Sequence, residues 1–173
     1  MFTASQGVKT TYSLTSDSHM IKNTEWGAVA YLTESKYGRN GTEVGINGSN
    51  NITGGGDYKS NVLQSTTGNI YGIYDMNGTL WEYVAGYINN SDVSSNGYNT
   101  NLLNAVATNS KYADVYKATS DSQENNYAEN KGVKGDAVYE TSTSYSLING
   151  WHGDYSAFAY TIRPVFARGR SLR

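Results

Sequence analysis

The sequence predicts one irregular, loop-rich α+β domain with an early helix and a central β-hairpin and sheet. Three observations indicate this fold class. Residues 18–34 carry apolar side chains at helical spacing, and residues 69–87 form two apolar runs that meet at Asn77-Gly78. Elsewhere Asn, Ser, Thr and Gly dominate, which favours turns and loops. A chain of 173 residues suits a single core, so we expect residues 1–173 to form one domain.

The N-terminal third is predicted to contain the main helix. Residues 1–15 are mixed and polar, and we expect them to be extended. Ser16-Asp17-Ser18 can cap a helix that runs from 19 to about 34. Its apolar face would contain Ile21, Glu25, Ala28 and Leu32, with Trp26 and Val29 beside it. Glu25 has no local partner for acid–base catalysis, so we expect backbone N–H groups to satisfy its carboxylate.

A long loop and then a hairpin are predicted next. Residues 36–60 contain turn signals at Asn40-Gly41, Asn47-Gly48 and 54–57. At 69–87, Asn77-Gly78 can adopt the positive φ angles of a two-residue hairpin turn. We expect a shared core and, separately, packing tyrosines in the hairpin. The predicted core set is Trp26, Trp81, Leu32, Ile73 and Val84, and the packing tyrosines are Tyr71, Tyr74 and Tyr83.

The later part of the chain is predicted to be mostly loop. A short helical turn is expected at 102–107 and a weak strand at 112–116. A polar loop follows at 120–135, then a short element at 137–139 and a last one at 158–166. Long polar loops on few regular elements suit display of a binding surface better than enclosed chemistry.

Composition excludes several functions. A net charge of −2 argues against nucleic acid, which needs a basic face. The one basic cluster is predicted to be a solvated tail and comprises Arg163, Arg168, Arg170 and Arg173. No apolar run has the length of about 20 residues that spans a bilayer, so we expect no membrane insertion. The absence of cysteine removes disulfides, thiolate–zinc sites and cysteine nucleophiles.

Four strings resemble a known family. GIYDMNGTLWEY at 72–83 is similar to the GLYDMxGNVWEW signature of the formylglycine-generating-enzyme domain, which has a C-type-lectin-like fold. MIKNTEWGAVAYL at 20–32 resembles its Glu-Trp helix, and more closely that of gut-bacterial and phage surface proteins. WHGDY at 151–155 and FARG at 166–169 are similar to late segments of that group.

The resemblance implies a scaffold and not the enzymatic reaction. The enzymes oxidise a substrate cysteine with paired active-site cysteines and copper, and this chain has no cysteine. We therefore expect no catalytic residues and no enzyme activity. Structural roles are implied for Trp26, Asp75, Asn77, Gly78, Trp81 and Glu82. Asp75 would accept backbone N–H bonds, and Glu82 would hold an opposing loop. Relatives can also hold structural calcium through loop oxygens, although no ligands can be named here and no other cofactor is expected.

Relatives continue for some tens of residues beyond the segment that matches 166–169. We expect this chain to be a fragment of a longer protein that lacks the usual last strands, unless Arg163-Pro164-Val165-Phe166 supplies the closing strand. In some relatives the late region is the binding surface diversified by retroelements. The resemblance implies an extracellular, cell-surface or virion location.

Two non-catalytic functions remain open. The first is an adhesin-like binding module for a protein or glycan on another surface, with Trp151, His152, Asp154 and Tyr155 as its predicted contact residues. The loop tyrosines are further contact candidates: Tyr58, Tyr98, Tyr127, Tyr145 and Tyr155. The second is a structural subunit of a pilus, tail or similar assembly, in which the chain would form a homo-oligomer.

Overall fold

A computed structural model describes residues 1–48, 52–78, 80–89, 110–117, 122–131, 146–147, 156–160 and 164–169. These residues form α-helices and one mixed β-sheet, as the α+β prediction requires. The helices are α1 (Phe2–Thr11), α2 (Asn23–Glu34) and α3 (Gln123–Asn130). The strands are β1 (Glu82–Asn89), β2 (Asp114–Lys117), β3 (Ser146–Leu147), β4 (Ser156–Ala157) and β5 (Val165–Arg168). Short 3₁₀ turns occupy Val62–Gln64 and Ser110–Tyr112, and Thr53–Gly56 is a tight turn in which Gly54 and Gly55 have positive φ angles.

The sheet has the strand order β2-β1-β5-β4-β3. β1 pairs in parallel with β2, where Tyr87 lies opposite Val115. The pairs β1–β5, β5–β4 and β4–β3 are antiparallel. The segment Val165–Arg168, near the C-terminus, is therefore a central strand of the described sheet.

The predicted hairpin at 69–87 is wrong in its first half. Only Glu82–Asn89 is a strand, and its partners are β2 and β5 rather than residues 69–76. Gly78 has a φ of 103°, but Asn77 does not adopt the left-handed conformation that a two-residue turn would need. Gly78 instead bridges Asn47, so a contact distant in sequence replaces the local reversal.

The N-terminal segment is helical rather than extended. The apolar periodicity of the α1 sequence is weak, because Phe2 is the one buried residue of this helix. Phe2 packs with Ala85, Tyr87 and Ala113 in a small cluster. This long-range anchor stabilises a helix that local periodicity does not reveal.

α2 begins at Asn23, several residues later than the predicted start at 19. The Glu25 carboxylate accepts the backbone N–H of Lys22 at 2.9 Å and a contact from His19 Nε2 at 3.0 Å. It therefore satisfies a free N–H group just before the helix. This confirms the prediction that backbone groups satisfy Glu25.

The buried face of α2 differs from the predicted one. It consists of Asn23, Trp26, Gly27, Ala30 and Thr33. The sheet lies close to the start of this face, because a Cβ at Gly86 of β1 would lie 3.1 Å from the Cβ of Asn23. The absence of a side chain at Gly86 permits this approach, and the predicted face residue Leu32 is exposed instead.

Two of the five residues predicted to form the core are confirmed as core residues. Trp26 and Val84 are buried together in the main cluster, which also contains Ala30, Met76, Ile88, Tyr116, Tyr127, Phe158, Ala159 and Phe166. Trp81 is only half-buried. Leu32 and Ile73 are exposed, so their predicted burial is wrong. Tyr127, a predicted contact residue, is instead a core residue.

The prediction of a solvated basic tail is wrong for Arg168, because this residue is completely buried. Its Nε and Nη2 donate to Asn23 Oδ1 at 2.9 and 2.6 Å. Asn23 Nδ2 donates to the Tyr116 hydroxyl at 2.9 Å, and the guanidinium carbon lies 4.7 Å from the centre of the Trp26 ring. These contacts join the start of α2 to β5 and β2.

Candidate functional site

The residues implied by the family resemblance have mainly structural surroundings. The Asp75 side chain accepts hydrogen bonds from Asn47 Nδ2 at 2.8 Å and from the Gly54 N–H at 3.3 Å. Asp75 itself has a φ of 65°, a conformation that Asp tolerates better than most residues. The carboxylate thus fastens two loop segments, which confirms that Asp75 accepts a backbone N–H bond.

The turn residues Asn77 and Gly78 are buried against the same loop. The Asn47 N–H donates to the Asn77 carbonyl at 2.9 Å. Within the described part of the chain, the Asn77 side-chain amide has no hydrogen-bond partner. A Cβ at Gly78 would lie 2.2 Å from the Asn47 carbonyl oxygen, so this contact requires glycine.

Glu82 opens β1 and is exposed as a residue. Partial burial of its carboxyl group raises its pKa, and the negative charge of Asp75 raises it further. A raised pKa can mark a functional carboxylate. The nearby Asp75 is held by loop hydrogen bonds, however, and no described residue completes an acid–base set with Glu82.

An exposed ion-pair cluster lies on another part of the surface. Lys111 Nζ and the Tyr112 hydroxyl donate to Asp17 Oδ2 at 2.7 and 2.8 Å. These hydrogen bonds, first from Lys111 and then from Tyr112, lower the pKa of Asp17 from 3.8 to about 2. The His19 ring lies 5.3 Å from the Tyr112 ring. The cluster fastens the segment before α2 to the turn before β2.

The predicted contact residues Trp151, His152, Asp154 and Tyr155 lie outside the described residues, so their role stays a prediction. Among the residues that the structure describes, no group of three His, Cys, Asp or Glu side chains could hold a metal ion. The structural-calcium expectation also stays a prediction. No helix in the described part of the chain is long and apolar enough to cross a bilayer.

The described structure contains an open groove of about 330 Å³ that the sequence did not predict. One wall is the C-terminal half of α2 with the turn that follows it, and the other wall is the segment 66–73. The lining consists of Val29, Leu32, Thr33, Ser35, Tyr37, Gly38, Thr66, Thr67, Tyr71, Gly72 and Ile73. We call this the α2 groove.

Four large side chains of the α2 groove are exposed. Tyr71 is 87% exposed, Tyr37 80%, Leu32 63% and Ile73 50%. Single exposed apolar residues are ordinary on a protein surface, but several around one concavity indicate a site for contact with another molecule. These residues therefore present a coherent apolar and aromatic surface.

The α2 wall of the groove is fixed by hydrogen bonds at the end of the helix. Ser35 Oγ donates to the Leu32 carbonyl at 2.6 Å and accepts the Tyr37 N–H at 3.2 Å. The Gly38 N–H donates to the Ser35 carbonyl at 3.0 Å. A Cβ at Gly38 would lie 2.4 Å from the Thr33 carbonyl oxygen. The turn therefore closes tightly on the helix and places Tyr37 beside Leu32.

The second wall is fixed by a reciprocal pair of hydrogen bonds. The Thr66 N–H donates to the Ile73 carbonyl at 3.0 Å, and the Ile73 N–H donates to Thr66 Oγ1 at 3.0 Å. The Tyr71 N–H donates to Asn69 Oδ1 at 2.8 Å. The segment 66–73 is thus a braced loop, and the exposed Tyr71 and Ile73 project from a defined backbone.

The groove was not predicted because Leu32, Ile73 and Tyr71 were expected to pack in the core. One feature of the sequence could have indicated that α2 has a second apolar surface. α2 carries Trp26, Val29, Ala30, Tyr31 and Leu32, which is more apolar surface than one buried stripe of a helix can accommodate.

Comparison with family models, with curated proteins and with solved structures found no match to this chain.

Proposed function

We propose that this chain is a non-catalytic binding module with a C-type-lectin-like fold, acting at a bacterial or phage surface on a protein or glycan ligand. The observation that carries the proposal is the α2 groove, with Leu32, Tyr37, Tyr71 and Ile73 exposed on two braced walls. Exposed tyrosines in loops offer large contact area with little loss of conformational entropy.

The fold assignment rests on the strings at 20–32 and 72–83 and on the way they are used. Trp26 of the Glu-Trp helix packs in one core with Val84 of β1, and Asp75 braces the loops that lead into that strand. These contacts support a scaffold role for both strings. The parallel β1–β2 pair is a difference from the hairpin that the strings suggested.

The test measures attachment of the labelled protein to an array of immobilised glycans and to whole bacterial cells. Leu32→Ser and Tyr71→Ser are the groove variants. Leu63→Ser and Tyr12→Ser are matched controls outside the lining, since Leu63 is 67% and Tyr12 71% exposed. Surface changes of this kind usually alter stability by less than about 0.5 kcal/mol, so all four variants should fold.

We expect attachment to be lost in the groove variants and kept in the controls. Equal attachment by all four variants would contradict a role for the groove. Sedimentation of the unmodified protein distinguishes the alternative, a structural subunit. A regular oligomer that Tyr71→Ser dissociates would favour that alternative over an external ligand.

A further inference from the structure

The polar groups that line the α2 groove are largely engaged within the protein. Thr33 Oγ1 donates to the Val29 carbonyl at 2.8 Å. The Ser35 and Thr66 hydroxyls are hydrogen-bonded to backbone groups of residues 32, 37 and 73. The Thr67 N–H donates to Ser65 Oγ at 3.3 Å. The N–H groups of residues 37, 38, 66, 71 and 73 are also bonded internally. Apart from the hydroxyls of the exposed Tyr37 and Tyr71, few donors remain to face a ligand.

This pattern disfavours a sugar in the groove. A sugar presents several hydroxyl groups, and each one that is buried without a hydrogen-bond partner weakens binding. A sugar site normally supplies several convergent donors and acceptors, whereas this lining offers mainly the Tyr37 and Tyr71 hydroxyls.

The lack of charge in the lining favours an uncharged occupant. Among the described residues that line the groove, none is charged. An ionic group that entered would lose hydration without gaining an ion pair there. The nearby Lys36 ammonium lies 4.9 Å from the centre of the Tyr37 ring, a cation–π contact at the rim rather than in the lining.

The groove suits a few apolar side chains. Its volume of about 330 Å³ lies at the lower end of ligand-pocket sizes. Val29, Leu32 and Ile73 offer aliphatic contact, and the Tyr37 and Tyr71 rings add aromatic surface of the kind enriched at protein interfaces. Burial of one apolar side chain is favourable, but the costs of association offset much of that gain, so single residues should bind weakly.

We infer that the α2 groove binds an uncharged, apolar segment of a partner protein. This inference rests on the proposed binding function and specifies its ligand class. The first test is an NMR titration of the ¹⁵N-labelled chain, following the amides of Gly38, Thr67 and Gly72. The probes are the capped amino acids N-acetyl-leucinamide and N-acetyl-phenylalaninamide. The comparison compounds are N-acetyl-lysinamide, the α-amide of N-acetyl-glutamic acid, and methyl glucoside.

We expect the leucine and phenylalanine probes to shift these amides, and the charged probes and the glucoside to leave them in place. Leu32→Ser and Ile73→Ser should weaken binding at least about tenfold, because losing about 1.4 kcal/mol of apolar contact is a factor of ten. Leu63→Ser should bind like the unmodified protein. The same spectra show whether each variant is folded.

The remaining outcomes separate the inference from the proposed function. Preferential shifts with methyl glucoside would overturn the apolar-segment inference and leave the binding function standing. Shifts that depend on protein concentration without any probe would assign the groove to a second copy of this chain and overturn the partner inference. A groove that responds to no probe would overturn the inference and remove the main support of the proposed function.

Discussion

Replacing Asn23 with Ala should test how α2 is held against the sheet, and therefore what positions one wall of the groove. Asn23 is completely buried. Its side-chain oxygen accepts two N–H groups of the buried Arg168 guanidinium, and its side-chain nitrogen donates to the Tyr116 hydroxyl. Alanine removes these hydrogen bonds and leaves a buried cation with fewer acceptors.

The expected loss of unfolding free energy is about 2–4.5 kcal/mol. A hydrogen bond to a charged group contributes about 1.5–3 kcal/mol and a neutral one about 0.5–1.5 kcal/mol. The two guanidinium bonds share one oxygen, and we count them as one strong bond. Such a loss is a large fraction of the roughly 5–15 kcal/mol that stabilises a typical domain.

The assay is urea unfolding followed by tryptophan fluorescence and far-UV circular dichroism. Fluorescence is informative because the Trp26 ring lies against the Arg168 guanidinium. Tyr116→Phe removes only the neutral bond and should cost about 0.5–1.5 kcal/mol. Asn23→Asp keeps an acceptor for Arg168 and should cost less than Asn23→Ala. The reasoning is refuted if Asn23→Ala is no more destabilising than Tyr116→Phe, or if Asn23→Asp is equally harmful.

Three other predictions concern the loops and the surface. Gly78→Ala should strongly lower the melting temperature, because the new Cβ would meet a backbone oxygen at 2.2 Å with φ at 103°, whereas Gly48→Ala meets nothing within 4 Å and should change it little. The Asp17 carboxylate should titrate near pH 2 by NMR. Because its pKa is lower in the folded state, its ion pair stabilises the protein above pH 3.8 and is lost as the pH falls toward about 2; a midpoint near 3.8 would contradict this. Replacing His152 and Tyr155 with Ala should abolish attachment to cells or glycans at an unchanged melting temperature, and attachment that persists, or a collapsed fold, would assign both residues to the scaffold.

Predictions from the sequence succeeded where a local cause operates. Glu25 satisfies a backbone N–H just before α2, a role set by a spacing of three residues. The large apolar side chains Trp26 and Val84 are buried, as their size favours. The start of α2 was wrong because Ser16-Asp17-Ser18 could cap a helix, but Asp17 is bound to Lys111 and Tyr112 instead.

Predictions failed where distant segments compete for the same surface. The Asn77-Gly78 dipeptide has the chemistry of a hairpin turn, yet Gly78 lies against Asn47 and β1 pairs with β5. Leu32 and Ile73 are as apolar as the core residues, but they lie in the two walls of the α2 groove and are exposed, whereas Trp26 packs with Val84 of β1 in the core.

The sequence by itself determined the α+β class, the existence of α2 and β1, and the absence of cysteine chemistry, since these follow from composition and local pattern. Only the tertiary structure decided that Arg168 is a core residue and that Leu32, Tyr71 and Ile73 line an exposed groove. The reason is that burial depends on contacts between remote parts of the chain. Arg168 and Asn23, for example, are 145 positions apart, and no local pattern carries that information.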